Sequence, residues 1–210
     1  MNNLRFKSPA ASYLSAILLI ASTFAAACAS AAPPRSIEGS TVSATAPRAK
    51  KPIPERDPNA IESASSVEVT KLDGETFKLS DFRGKVVVVD FWATDCAPCV
   101  RLVPHLAELS KKYRDKGLEV VGLTFDDKAN QEQVLKFLKK AGADYIVGYD
   151  NQWISSPFLK GTEDETGAPP IPQVFVISRD GRVVDHFLGE SPQRGIKDLE
   201  LVVSQQLSSR

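Results

Sequence analysis

Two cysteines separated by two residues, Cys96 and Cys99, are the side chains of this sequence best suited to chemistry. They follow the apolar run 86–91, where a buried strand is predicted to end and a helix to begin. The third cysteine, Cys28, lies in a separate N-terminal segment, so the two cysteines of the globular part are expected to pair with each other. So short a loop hardly constrains the unfolded chain. The spacing therefore favours a dithiol that cycles with a disulfide.

The position of this pair at a predicted helix start indicates a role for each sulfur. Unpaired backbone N–H groups and the helix dipole stabilise a thiolate at a helix N-terminus. We therefore expect Cys96 to be the attacking nucleophile. Cys99, one turn further and more buried, would resolve the mixed disulfide by attacking Cys96. Ala97 and Pro98, between the cysteines, would set the reduction potential of the small ring and contact the substrate.

Two other uses of the cysteine pair stay open at this point, an inert disulfide and part of a metal site. Zinc needs two further ligands, and the two histidines, His105 and His186, form no ligand-like pair with another donor. Copper bound by the two thiolates is the most credible metal variant. The pattern favours redox chemistry that needs no bound organic cofactor.

Apolar periodicity predicts the elements that position the cysteines. A β-hairpin comes first, a βαβ unit follows, and a second hairpin precedes a final helix. The predicted ranges are 67–72 and 76–79 for the first hairpin, 86–91, 98–116 and 118–125 for the βαβ unit, 131–140 for a second helix, 145–147 for an edge strand, and 173–177, 182–187 and 192–207 for the last three elements. Residues 151–168 show weak patterning. Strands that alternate with helices favour parallel pairing and an α/β fold.

The N-terminal 28 residues have the pattern of an export signal, with Arg5 and Lys7 ahead of the apolar region 13–27. Ala25-Ala26-Ala27-Cys28 is similar to a bacterial lipobox and predicts a lipidated Cys28 that tethers the protein to a membrane. Ala29-Ser30-Ala31 instead suits ordinary signal peptidase, which would discard Cys28. An uncleaved anchor is the third alternative, although its apolar core is short against the roughly 20 residues that span a bilayer.

Composition divides the rest of the chain into a linker and one domain. Residues 29–65 are rich in Ala, Ser and Pro with few large apolar side chains, which predicts a disordered linker. The domain is assigned to residues 66–210. Residues 1–65 contain seven basic and four acidic residues, whereas residues 66–210 contain nineteen basic and twenty-two acidic residues. A slightly acidic domain argues against nucleic-acid binding.

Several separate motifs resemble the thioredoxin superfamily, and within it the envelope thiol-disulfide proteins of the TlpA and ResA type. The resemblance covers about residues 66–190. Its motifs are Leu79-Ser80-Asp81-Phe82-Arg83-Gly84-Lys85 before the central strand, Phe91-Trp92-Ala93-Thr94 before the cysteines, Pro104 after them, Ile171-Pro172, and Asp180-Gly181 in the last hairpin. The resemblance implies a thioredoxin fold, in which helices flank a central mixed sheet, with an N-terminal β-hairpin extension.

The same resemblance assigns two further site residues. Asp90 occupies the position at which thioredoxins carry a buried acid beneath the disulfide, which implies a proton acceptor for Cys99. Burial in an apolar strand would raise the pKa of this carboxyl; the alternative is an aspartate at the strand edge with access to solvent. Pro172 is implied to be a cis-proline that faces the disulfide and leaves the Ile171 backbone free to pair with an extended substrate segment.

The sequence departs from the family pattern around the site. Asp95 replaces the usual Trp, and it would either contact substrates and raise the pKa of Cys96 or cap the helix that starts at Ala97. Trp92 is a candidate substrate contact, with core packing as the alternative. The other departures are Val100 for a basic residue, Leu102 for a Glu and Gln173 for a Thr.

The resemblance implies a thiol-disulfide oxidoreductase on the periplasmic side of the bacterial envelope. Members of this type usually act as reductants in cytochrome c or copper-site assembly, exchange disulfides with cysteine-containing envelope proteins and receive electrons from a membrane partner. A copper chaperone or an adaptor without turnover is the alternative. A peroxidase of the related peroxiredoxin group is disfavoured, because those enzymes share a lone nucleophilic cysteine.

Overall fold

Strand β3 lies at the centre of the sheet and ends shortly before the first cysteine. The computed structural model describes residues 58–189 and 194–209. Its strands are β1 (Val69–Thr70), β2 (Thr76–Phe77), β3 (Val86–Trp92), β4 (Leu118–Thr124), β5 (Ile146–Tyr149), β6 (Gln173–Ile177) and β7 (Val183–Leu188). Its α-helices are α1 (Pro58–Ser65), α2 (Ala97–Tyr113), α3 (Gln131–Ala141), α4 (Gln152–Leu159) and α5 (Ile196–Ser208).

The main sheet is mixed and has the strand order β5-β4-β3-β6-β7. Strands β3, β4 and β5 are parallel, whereas β6 is antiparallel to both β3 and β7. All seven residues of β3 are buried, as a central strand with both faces covered requires. The predicted α/β fold with a mixed sheet is confirmed, as is the βαβ unit from β3 through α2 to β4.

Alternation along β3 sends side chains into two separate apolar clusters, one on each face of the sheet. The cysteine-side cluster includes Val88, Trp92, Cys99, Val103, Leu106, Val134, Tyr145 and Leu199, and it is covered by α2, α3 and α5. The phenylalanine-side cluster includes Ile61, Ala64, Phe77, Phe91, Phe158 and Phe175, and it is covered by α1, α4 and the first hairpin. Asp90 lies between Phe91 and Val89 in sequence and therefore points to the cysteine side.

Helix α2 begins directly after the first cysteine. Cys96 is its N-cap residue and Pro98 stands in its first turn, where proline is well tolerated. A short 3₁₀ turn follows α2, and Gly117, with φ at 93°, ends it in the left-handed conformation. The predicted helix 98–116 thus corresponds to α2 and this 3₁₀ turn.

Two helices lie where the sequence pattern predicts none. Helix α1 occupies the last eight residues of the predicted linker, so the predicted boundary at residue 65 is wrong; Ile61 and Ala64 are buried and tie this helix to the fold. Helix α4 lies in the weakly patterned stretch 151–168 and buries Ile154 and Phe158. Both helices are short and depend on packing rather than on their own periodicity.

The predicted N-terminal hairpin is present and covers one edge of the main sheet. Strands β1 and β2 pair antiparallel. Beyond β1, Lys71 forms an antiparallel bridge with Gly148 of β5, and the Leu72 N–H donates to the Val147 carbonyl at 3.1 Å. The outer edge of β5 is therefore partly paired.

The predictions for the N-terminus fall outside the part of the chain that the structure describes. These are the signal sequence 1–28, lipidation at Cys28 and the linker as far as residue 57. Within residues 58–189 and 194–209, no helix is both long and apolar enough to cross a membrane.

Candidate active site

The two cysteines are joined by a disulfide at the start of α2. Their Sγ atoms are 2.03 Å apart. Cys99 is fully buried, whereas Cys96 is partly exposed and packs against the rim of the cysteine-side cluster. A partner can therefore reach the sulfur of Cys96 but not that of Cys99.

Backbone geometry at the helix start favours negative charge on Cys96. The Cys99 N–H points at Cys96 Sγ, 3.2 Å away. When the disulfide is reduced, this N–H and the N-terminal end of the α2 dipole would stabilise a thiolate at Cys96. The arrangement therefore suits a nucleophilic Cys96 and a resolving Cys99.

Ile171 and Pro172 face the disulfide from the start of β6. The peptide bond between them is cis, as predicted. The Ile171 carbonyl oxygen lies 3.6 Å from Cys96 Sγ, and the Pro172 carbonyl accepts a hydrogen bond from the Gly189 N–H at 2.8 Å. The structure thus brings together Cys96, Cys99, Ile171 and Pro172, which lie more than 70 residues apart in the chain.

Gln173 fixes the segment that carries this proline. Its side chain is fully buried, and its Nε2 donates to the Pro170 carbonyl at 2.9 Å and to Thr162 Oγ1 at 2.8 Å. Its Oε1 lies 2.8 Å from His186 Nε2. The His186 ring in turn stacks on Phe175. A threonine, as the family pattern has it here, could not span these partners.

Asp126 fixes the other side of the site. Its carboxylate accepts hydrogen bonds from the Thr94 backbone N–H at 2.9 Å, from the Thr94 hydroxyl, and from Thr124 Oγ1 at 2.6 Å. Thr94 lies in the short segment between β3 and Cys96. Asp126 therefore ties the approach to the cysteines to the end of the neighbouring strand β4.

Asp90 lies inside the cysteine-side face of the sheet and not at a solvent-exposed edge. Its side chain is fully buried, and its two carboxylate oxygens have no hydrogen-bond partner among the described residues. Burial raises the pKa of Asp90 to about 8. A carboxyl with such a pKa can exchange a proton near neutral pH.

The other predicted contact residues differ in exposure. Trp92 is fully buried and packs on Phe137, which agrees with the core-packing alternative, and its contact with substrate stays a prediction. The strand alternation that points Asp90 inward also points Trp92 inward. Ala97 and Asp95 are exposed and Pro98 is half-buried, and their roles toward substrates stay predictions. Because Cys96 is the N-cap residue, Asp95 does not cap α2.

A surface pocket of about 300 Å³ adjoins the proline. Its lining includes Leu102, His105, Pro172 and Phe187. In the described part of the chain, no group of three His, Cys, Asp or Glu side chains is placed to hold a metal ion. His105 lines this pocket, whereas His186 contacts Gln173, so the two histidines lie in different environments.

Sequence reasoning missed Asp126, and it noted Gln173 only as a departure. Asp126 does have a detectable signal, because it follows a buried strand and the carboxyl ends of neighbouring parallel strands meet at one sheet edge. The partners of Gln173 lie 3, 11 and 13 residues away on other segments. No local pattern indicates them.

Comparison with protein families identifies one matching model, that of the Redoxin family, over residues 43–203. Among curated relatives, the thiol-disulfide oxidoreductase ResA of Bacillus anthracis is 33% identical over 134 residues, which are 64% of this chain and 72% of that protein. ResA of Geobacillus thermodenitrificans is 29% identical over 136 residues, with 64% and 72% of the two chains covered.

Solved structures share the overall fold of this chain. A candidate thiol:disulfide interchange protein DsbE from Chlorobium tepidum is 31% identical, with a TM-score of 0.55, and the match covers 70% of this chain and 96% of that one. A thioredoxin-family thiol:disulfide interchange protein from Chlorobium tepidum TLS is 26% identical, with a TM-score of 0.58 and the same coverage. The predicted thioredoxin fold is confirmed.

Proposed function

The chain belongs to the Redoxin family and is a thiol-disulfide oxidoreductase of the ResA type, and on that premise we propose that it reduces disulfides in proteins of the bacterial cell envelope. One observation carries the proposal. A partly exposed Cys96 caps α2 and is bonded to a fully buried Cys99. The electron transfer uses this pair and needs no bound organic cofactor.

The proposed reaction begins with reduced protein. The Cys96 thiolate attacks one sulfur of a substrate disulfide, the substrate S–S bond breaks, and the second substrate sulfur leaves as a thiolate. Cys99 then transfers its proton to the carboxylate of Asp90, and its thiolate attacks Cys96 Sγ. The Cys96–Cys99 bond forms, the first substrate sulfur is released as a thiolate, and two electrons have passed to the substrate.

Substrate recognition is proposed to use backbone pairing at Ile171. Its segment borders Cys96 at 3.6 Å, and the neighbouring pocket beside Pro172 offers room for a substrate side chain. Asp95, Ala97 and Pro98 would lie at the edge of this contact. An extended substrate segment that carries the target cysteine fits such a site.

The cellular setting is proposed from the leader sequence and from the relatives. An export signal would place the domain on the periplasmic side of the envelope, soluble or tethered through a lipidated Cys28. A membrane protein would return electrons to the oxidised pair. The ResA resemblance favours substrates from cytochrome c or copper-site assembly.

A trapping experiment tests the roles of the two cysteines. The full chain carrying Cys99→Ser should accumulate mixed disulfides between Cys96 and its partner proteins, because no second thiol remains to resolve them. The matched variant Cys96→Ser should trap none. Stable mixed disulfides on Cys99 instead would contradict the assignment.

Two measurements on the reduced protein test the direction and the alternative function. A reduction potential below that of glutathione, together with insulin reduction, supports a reductant; a potential well above it would leave the exchange chemistry but reverse its direction. Stoichiometric copper retained against glutathione, with no insulin reduction, would favour the copper-binding module instead.

A further inference from the structure

Three buried polar groups without a hydrogen-bond partner in residues 58–189 and 194–209 lie around one glycine. They are the Asp90 carboxylate, the Trp92 indole N–H and the Tyr145 hydroxyl. Asp90 and Gly122 are register partners in the parallel pair of β3 and β4. A β-carbon placed on Gly122 would lie 3.0 Å from Trp92 Nε1 and 3.3 Å from the Tyr145 ring. The absence of a side chain at Gly122 thus lets Trp92 and Tyr145 pack closely against β4, beside the register partner Asp90.

The charge of Asp90 acts on the Tyr145 hydroxyl. Burial is the main cause that raises the pKa of Tyr145 well above its ordinary value, and the negative charge of Asp90 raises it further. A buried phenol beside a carboxylate stays protonated. Tyr145 therefore remains a hydrogen-bond donor throughout the working pH range.

The three groups are chemically complementary. An ionised carboxylate only accepts hydrogen bonds, whereas a phenol O–H and an indole N–H can both donate. A buried polar group left without a partner destabilises the folded state, and a charged one does so more strongly. Donation from Tyr145 and Trp92 would therefore stabilise ionised Asp90 more than protonated Asp90.

We propose that Tyr145 and Trp92 are positioning residues for Asp90, and that their O–H and N–H groups turn to donate to its carboxylate when it ionises. This inference rests on the proposed role of Asp90 as the acceptor of the Cys99 proton. In that step the proton moves from Cys99 Sγ to the carboxylate while the Cys99 thiolate attacks Cys96. The two donors keep a fully buried carboxylate available for this transfer.

Few other titratable groups lie in the cysteine-side cluster. Helix α2 contributes Cys96, Cys99 and Tyr113 to the cysteine-side cluster, and β5 contributes Tyr149. On β7 the buried Asp185 is paired with Arg194 by two hydrogen bonds of 2.9 and 2.7 Å. The described cluster residues of α3 and of α5 carry no charge.

The first test measures the titration of Asp90 itself. The full chain, oxidised and labelled with ¹³C at aspartate carboxyls, is titrated by NMR, and Asp90→Asn identifies the signal. Tyr145→Phe removes one hydroxyl and should raise the Asp90 midpoint by about one pH unit, which corresponds to 1.36 kcal/mol. The reason is that the ionised carboxylate loses a hydrogen-bond donor.

Tyr149→Phe is the matched control. Its hydroxyl is also buried and without a partner among the described residues, but the charge that acts on it is that of Asp126. It should leave the Asp90 midpoint unchanged. An unchanged midpoint in Tyr145→Phe, or an equal shift in both variants, would overturn the inference.

A second variant and an activity readout separate this inference from the proposed function. Gly122→Ala places a methyl group against Trp92 Nε1 and the Tyr145 ring and displaces both donors. It should therefore shift the Asp90 midpoint upward as Tyr145→Phe does; a midpoint that stays in place contradicts the inference. The titration needs no turnover. If the midpoint moves but the unsubstituted protein reduces no disulfide, only the proposed function fails. If reduction occurs and the midpoint stays, only the inference fails.

Discussion

The two faces of strand β3 contain different kinds of interior. On the phenylalanine side, Phe91, Phe158 and Phe175 contact one another with ring centroids 5.2–5.8 Å apart. On the cysteine side, the same strand presents Asp90 and Trp92, whose buried polar atoms have no partner in the described chain. Neighbouring residues of one strand thus enter opposite environments.

The difference separates stability from reactivity. Aromatic contacts contribute beyond the burial of their area, so the phenylalanine side stabilises the fold. A desolvated carboxyl instead destabilises the folded state once the pH is high enough to ionise it in the unfolded chain. We infer that the cysteine side keeps this cost because the proton transfer needs it. Truncation of a buried phenylalanine on one face and neutralisation of Asp90 on the other should therefore change stability in opposite directions.

The largest effect is expected from Phe158→Ala, on the phenylalanine side. Truncation of a fully buried phenylalanine typically costs about 3–5 kcal/mol of unfolding free energy. Urea denaturation would measure the loss. The rate of disulfide reduction per folded molecule should not change. Leu201→Ala, on the exposed surface of α5, is the control and should change stability by less than about 0.5 kcal/mol. A stable but inactive Phe158→Ala would break the comparison.

Asp90→Asn should have an effect of similar size and opposite sign. The folded pKa of Asp90 is about 8, whereas an unfolded aspartate titrates near about 3.9. Below the unfolded pKa both states are protonated. As the pH rises from about 4, the free energy of unfolding decreases, and above the folded pKa of Asp90 it decreases no further on account of this group. At pH 7 the substitution should therefore stabilise the protein by about 3–4 kcal/mol and slow the resolving step.

Denaturation at several pH values checks this sign. The gain from Asp90→Asn should vanish near pH 4 and grow toward pH 8. Asp115→Asn changes an exposed aspartate and should show no such trend. A gain that is the same at every pH would mean that Asp90 ionises normally in the folded protein.

The smallest change in stability is expected from Asp126→Asn. Asp126 follows the end of β4 and belongs to neither apolar cluster. The substitution weakens three hydrogen bonds that hold Thr94 and Thr124. It should lower stability by about 1–2 kcal/mol and slow insulin reduction several-fold, because the segment before Cys96 loses its anchor. The exposed neighbour variant Asp127→Asn should match the unsubstituted protein. Equal effects of both variants would point to general charge rather than to the anchor.

Sequence patterns predicted the part of the fold that strong periodicity specifies. The apolar run of β3 and the helical spacing of α2 placed the cysteines correctly at a strand-to-helix junction. Helix α1 was not predicted, because Ile61 and Ala64 are its only described buried residues and two positions make no helical pattern. Helix α4 was not predicted, because it has only eight residues and Pro157 interrupts its helical pattern.

The site was predictable where one position carries its own signal. Asp90 stands out as an acid in an apolar strand, and the resemblance singled out Pro172. The burial of Trp92 was not predictable from the family motif, because the motif does not tell which face of the strand a residue occupies. The contacts of Asp126, Gln173 and Tyr145 arise from register and long-range packing, which no single segment encodes.

The bridge between Lys71 and Gly148 also covers part of a sheet edge to which a second protein chain could otherwise pair. An unpaired sheet edge is a template on which a second chain can add a strand. Gly148 admits the hairpin at close range, since a β-carbon there would lie 2.6 Å from Val69 Cγ1. The hairpin thus covers part of the outer edge of β5. We expect a chain shortened to residue 78 onward to expose that edge and to form oligomers, while its cysteines remain chemically intact.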